Sequence, residues 1–128
     1  MTVVLDSGGV TMLASNRARL EELRGRGEWP AVVPSVVITE AITGDHRRDF
    51  RENRLLRTCD IHPIEEHLAR QGALLRTAAG GERIPSAVDA IVVCLADQLG
   101  GATVLTSDSR DLRALARHTT NPVPIASA

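Results

Sequence analysis

The sequence predicts an α/β fold, a parallel sheet covered by helices on both faces, on three observations. Val3-Val4-Leu5 is a short continuous apolar run with β-branched residues, the pattern of a strand buried on both faces, and Ala102 to Leu105 follows the same logic. Strand-like runs then alternate with segments of helical periodicity, which implies right-handed βαβ crossovers. Finally, 128 residues with 43% hydrophobic content suffice for one sizeable core but not two.

In chain order, Val3 to Leu5 is the first strand and stops at Asp6, after which Gly8 and Gly9 permit a tight turn. A short turn or helix over Val10 to Ala14 leads to Ser15, an N-cap for a helix from Asn16 to about Arg24 that Gly25 and Gly27 end. Ala31 to Val33 is the second strand. Ser35 then caps a helix over Val36 to Thr43, although the Val-Val-Ile run also permits a strand. Asp45 caps a helix over His46 to Arg57, and Thr58 to His62 is a third strand ended by Pro63. Ile64, Leu68, Gly72, Leu75 and Ala79 recur at helical spacing over Ile64 to Ala79, and Gly80-Gly81 stops that helix. Ser86 caps a nearly all-apolar helix to about Leu99; its β-branched run allows a strand, but length and Gly100-Gly101 favour helix. Ala102 to Leu105 is the fourth strand, Ser109 to His118 a helix, and Pro122 to Ile125 a fifth strand confined by its prolines to an edge.

Composition narrows the function. The formal net charge of −1 argues against a protein that coats nucleic acid non-specifically, so any such binding needs a local basic patch. All 15 basic residues are Arg, which excludes every chemistry that needs a lysine. Cys59 and Cys94 form no C-x-x-C pair and have no His at zinc-ligand spacing, so they read as packed, reduced thiols. His46, His62, His67 and His118 stand at unrelated positions and suggest no metal or catalytic histidine. No apolar run approaches the roughly 20 residues that span a bilayer, and no secretory signal is visible. The default expectation is a cytoplasmic protein without membrane contact.

Four carboxylates fall at equivalent places, just past strand ends or in first helical turns: Asp6, Glu40, Asp89 and Asp108. Each alone has an ordinary explanation. Acids are favoured at N-caps and in first turns, where they meet free N–H groups and the helix dipole. Ser86-x-x-Asp89 resembles a capping box, Asp108 can cap its helix with Asp111 reaching back to it, and Glu40 can lie on a solvated face. Jointly they say more. Asp89 lies on a helix with hardly any polar surface, and Asp6 ends the most buried strand, so each faces desolvation unless a cation or donors receive it. Several acids at one end of a sheet, with no lysine, are best reconciled by a hard divalent cation such as Mg²⁺ or Mn²⁺.

Val3-Val4-Leu5-Asp6, Val36-Val37-Ile38-Thr39-Glu40, Val88-Asp89-Ala90-Ile91-Val92 and Val104-Leu105-Thr106-Ser107-Asp108 together resemble the four acidic motifs of PIN-domain nucleases, in order and spacing. The likeness covers essentially the whole chain, 1–128, as one PIN domain, and within that family the chain resembles the VapC-type toxins of toxin–antitoxin pairs. It implies a three-layer α/β/α, PIN-like domain whose sheet of about five parallel strands has the order 3-2-1-4-5. It implies a Mg²⁺- or Mn²⁺-dependent endoribonuclease, a homodimer, and a cognate VapB-type antitoxin. By position, Asp6, Asp89 and Asp108 would hold metal, and Glu40 would bind it directly or through water, or orient the attacking water. Thr106 and Ser107 would support them. Many relatives place another acid two residues after the fourth; here Ser109-Arg110 intervene, which leaves Asp111 an outer or capping residue.

Arg47, Arg51 and Arg54 make a basic stripe that either steers RNA phosphates or is a solvated face paired with Asp45, Asp49 and Glu52. Trp29 and Phe50 are the only aromatics, so RNA would be held through its backbone rather than by base stacking. Trp29 reads as a packing residue, Phe50 as core packing or an exposed anchor for a partner, and Ser7 as a donor to the acids or a turn serine. A phosphoacceptor domain would need a lysine, a haloacid-dehalogenase-type phosphatase an Asp where Gly8 stands, and a dinucleotide fold a G-x-G-x-x-G. The remaining competitor is a PIN-like module that only binds a protein partner.

Overall fold

Five strands, β1 (Val3–Leu5), β2 (Val32–Pro34), β3 (Asp60–His62), β4 (Thr103–Thr106) and β5 (Ile125–Ser127), form one parallel sheet in a computed structural model that describes residues 1–128. Their order is β3-β2-β1-β4-β5. Val4 pairs with Val32 on one side and Val104 on the other, so β1 is central and wholly buried. That is why it carries no polar residue.

Seven helices complete the chain: α1 (Ser7–Ala14), α2 (Arg17–Gly25), α3 (Ile38–Ala41), α4 (Phe50–Leu56), α5 (Glu66–Ala79), α6 (Ala87–Gln98) and α7 (Arg110–Ala116). The chain moves from β1 to β2 to β3 in one direction and from β4 to β5 in the other. Right-handed crossovers therefore put α1 to α4 on one face and α5 to α7 on the opposite one. The packing agrees, since α1 contacts α2, α3 and α4, whereas α5, α6 and α7 contact one another. Leu5, Val10, Leu13, Val92, Val93, Leu105, Leu112 and Leu115 join strands and both helical layers in one core. Strand order reverses at β1, and the carboxyl ends of β1 and β4 border the crevice where open α/β sheets bind ligands.

Several element ends differ from expectation. The helix after Ser15 is capped by Asn16, whose Oδ1 accepts from Arg19 N at 3.1 Å. After Pro34 the chain forms neither a strand nor a helix capped by Ser35. It makes a 3-10 turn over Ser35–Val37 and only then the short α3, and neither has a side-chain capping bond. The helix expected from His46 begins at Phe50. Asp45 Oδ1 accepts from Arg47 N at 2.9 Å and caps a turn ahead of it. Gly8 and Gly9 lie inside α1 rather than in a turn. The fifth strand runs past its prolines, which precede β5 at the sheet edge.

Candidate active site

Asp6 is built in by two elements at once. It follows β1 and caps α1, its Oδ1 accepting from Gly9 N at 2.7 Å. Its Oδ2 accepts from the Thr106 hydroxyl, at the end of β4, at 2.5 Å. Thr106 Oγ1 in turn accepts from Asp108 N at 3.0 Å, so one buried hydroxyl ties the first acid to the backbone of the last. The glycines explain how α1 comes so near: a Cβ on Gly9 would stand 2.3 Å from Leu105 O, and one on Gly8 2.2 Å from Ser107 Oγ. They are needed for close approach, not for an unusual backbone angle.

Glu40 reaches the same place from α3, and Asp89 from the first turn of α6, where Ser86 Oγ accepts from Asp89 N at 3.0 Å. Asp6, Ser7, Gly8, Glu40, Ser86, Asp89, Thr106, Ser107, Asp108 and Asp111 line one cleft of about 220 Å³ that contains no apolar and no basic side chain. Acids scattered from residue 6 to residue 111 thus share one small polar space.

The electrostatics reflect that crowding. Burial pushes the Asp89 carboxyl up to about 6 from the ordinary 3.8, opposed by a hydrogen bond from Ser86 and reinforced by the charges of Asp6, Asp111 and Glu40. Burial also raises Asp6, against the bonds from Thr106 and Gly9, and Asp108 adds to the rise. No three of the carboxylates converge into a ready-made cage for an ion. The donor set is nonetheless all oxygen, and Mg²⁺ is held by one or two carboxylates with waters completing its shell. A divalent cation would offset both the desolvation that chiefly raises the two aspartates and the repulsion that adds to it. The residues fit such an ion.

The basic stripe is not brought to the acids. Arg51 and Arg54 line a separate groove of about 410 Å³ between α2, α4 and the carboxyl end of α1, together with Arg17, Arg24, Leu13, Leu20 and Phe50, while Arg47 lies exposed in the preceding turn. Phe50 is 62% exposed rather than packed inside. Trp29 packs against the core and donates from Nε1 to Thr58 Oγ1 at 3.1 Å.

Asp49, which the solvated-face reading of the stripe pairs with the arginines, is buried. Its carboxylate accepts from Thr43 N, the Thr43 hydroxyl and Gly44 N. Although desolvation works the other way, these bonds hold it below the usual range, aided by the charge of Arg48. It latches the turn that connects α3, which carries Glu40, to α4. The sequence signal was Thr43-Gly44, two donors within reach of an acid five or six residues on. Asp111 does not reach back to Asp108; its Oδ2 accepts instead from Arg83 Nη2 at 2.9 Å.

Among solved structures the chain is similar to one in VapBC2 from Rickettsia felis bound to a DNA fragment from their promoter, with a TM-score of 0.72 at 13% identity over 98% of this chain and 97% of the other. It is also similar to a chain of VapBC-1 from nontypeable Haemophilus influenzae (TM-score 0.70, 15% identity, 99% and 98% covered). A third likeness is to FitAcB from Neisseria gonorrhoeae (TM-score 0.68, 19% identity, 98% and 96% covered). At such identities the likeness is one of fold. No curated protein matches the chain. The PIN domain family model matches residues 4–118, a span that holds all the acids of the cleft, and the chain belongs to the PIN domain family.

Proposed function

We propose that this protein is a Mg²⁺- or Mn²⁺-dependent endoribonuclease of the VapC toxin type, hydrolysing RNA phosphodiesters at the acid cleft. The observation that carries the reading is the meeting of Asp6, Glu40, Asp89 and Asp108 in one apolar-free cleft at the sheet's switch point. Asp6, Asp89 and Asp108 would hold the ion, directly or through the waters of its shell, with Glu40 as a ligand, direct or through water, or as the group that orients attacking water. When bound, such an ion polarises the phosphodiester and lowers the pKa of the attacking water. Thr106 fixes the Asp6 carboxylate from β4, and Ser107 lies against Gly8 at the cleft wall. Asp111 adds charge at the rim without replacing any of the four. Arg47, Arg51 and Arg54 contribute at most a steering field for RNA, since they stand off the cleft.

The partner in this reading is a VapB-type antitoxin, supported by the toxin–antitoxin complexes among the similar folds. A homodimer in the cytoplasm completes it, and no helix is long and apolar enough to cross a membrane. The exposed Phe50, at the lip of a groove that is part apolar, part arginine, is the residue we assign to the antitoxin contact.

Purified protein with Mn²⁺ should cleave RNA, and Asp6→Ala or Asp89→Ala should reduce cleavage at least a hundredfold with an unchanged circular dichroism spectrum. Asp89→Ala cutting as fast as the parent would end the nuclease reading. A folded, metal-supplied parent that cuts no RNA would favour the partner-binding module instead.

A further inference from the structure

Arg83 belongs to the strap 80–86, between α5 and α6, and its contact with Asp111 is unlike every other ion pair in the chain. The rest join residues three or four apart in sequence. Arg83 and Asp111 are 28 apart, and theirs is the one pair that involves a carboxylate of the acid cleft. The strap is held near its end, where Arg76 Nε donates to Pro85 O at 2.6 Å, Pro85 is buried, and Ser86 caps the helix that carries Asp89. Between Gly81 and Ile84 every residue is exposed. The backbone at the base is therefore anchored, while the Arg83 side chain, 67% exposed, is free to change partners.

Charge supplies a reason for it to do so. Five carboxylates face the cleft and no cation lines it, whereas an RNA strand brings one negative charge per phosphate. The pair is open to water at its Arg83 end, although Asp111 is only 22% exposed, and solvent at the guanidinium weakens it, so the arginine can leave Asp111 at modest cost. The guanidinium offers five donors in a planar fork that matches phosphate oxygens, and Asp111 engages only one nitrogen.

We propose that Arg83 is a phosphate-binding arm, which exchanges Asp111 for a backbone phosphate of the RNA strand entering the cleft. This rests on the reading of the cleft as an RNA-cleaving site and adds the residue that grips the strand beside it. Arg83 is a binding residue here, not one that takes part in bond cleavage.

The test measures binding of a fluorescein-labelled single-stranded RNA of mixed sequence by anisotropy in Ca²⁺, across a salt series, and cleavage of the same RNA in Mn²⁺. Arg83→Ala should weaken binding about tenfold or more, and the loss in cleavage should fall mainly on KM. The slope of log affinity against log salt should flatten by about 0.7, the increment of one phosphate contact to a single strand. Arg83→Lys, which keeps the charge but not the fork, should recover part of the affinity and the whole slope. Unchanged affinity and slope in Arg83→Ala, with the parent still cleaving, would overturn the arm and leave the nuclease reading intact. A parent that binds through Arg83 but cleaves nothing would do the reverse. A parent that neither binds nor cleaves would remove both.

Discussion

Asp89 and Asp6 carry a specific thermodynamic signature. Burial lifts the Asp89 carboxyl to about 6, so between roughly pH 4 and 6 the folded chain keeps a proton that the unfolded chain has lost. Stability contributed by this group is present below that window and falls as pH rises through it; Asp6 acts in the same direction. A divalent cation held in the cleft, as proposed, would bind the ionised carboxylates and compete with that proton. Mn²⁺ should therefore raise the melting temperature more at about pH 7.5 than at about pH 5, and Asp89→Asn should flatten the fall in stability over about pH 4 to 6. Equal Mn²⁺ increments at the two pH values would show that the ion does not act on these acids. The sequence shows which acids end strands or begin helices. It does not show how far each is withdrawn from water, because that depends on what packs over it. Asp49 makes the point: one reading of the Arg47, Arg51 and Arg54 stripe pairs it with them on a solvated face, yet Thr43 and Gly44 fold back to enclose it.

At the scale of elements, the site depends on α1 lying hard against the end of β4. Gly9 makes this possible, since a side chain there would meet the Leu105 carbonyl, a backbone atom that cannot turn aside. Gly9→Ala should cost about 1–3 kcal/mol, by overpacking, and should disturb the bond from Gly9 N to Asp6 as well. Denaturant melts would measure the first effect and Mn²⁺-dependent stabilisation the second; a Gly9→Ala chain as stable as its parent would contradict the close approach. Gly8→Ala should be milder, because its nearest obstacle is the Ser107 hydroxyl, which can rotate. Most elements were legible from apolar spacing and caps. Their ends were less so. Ser15 and Asn16 are adjacent good caps, and only the backbone path chooses Asn16. The segment expected as one helix from Val36 to Thr43 resolves into a 3-10 turn over Ser35–Val37 and one helical turn over Ile38–Ala41, and that last turn brings Glu40 to the cleft.

Over the whole molecule, one continuous core fixes the relation between β1, β4 and both helical layers. Leu112, 1% exposed on α7, should cost about 2–5 kcal/mol on truncation to Ala, by cavity formation. Leu74, 66% exposed on α5, should cost less than about 0.5 kcal/mol in the same urea melts. A loss at Leu74 as large as that at Leu112 would mean that a second copy covers it, which analytical ultracentrifugation would confirm as a dimer. Net charge close to zero restricts nucleic-acid contact to local features, and the structure lines one groove with Arg17, Arg24, Arg51 and Arg54 while placing Arg83 against an acid of the cleft.

The sequence by itself determined the α/β class, the buried parallel strands and the acids at their ends, because apolar periodicity and capping chemistry are local and leave their mark in neighbouring residues. Tertiary structure alone decided that Asp111 pairs with Arg83, that Asp49 is enclosed, and that Arg51 and Arg54 face a different groove from the acids. Those outcomes depend on which surfaces meet across tens of residues, and spacing along the chain carries no record of that.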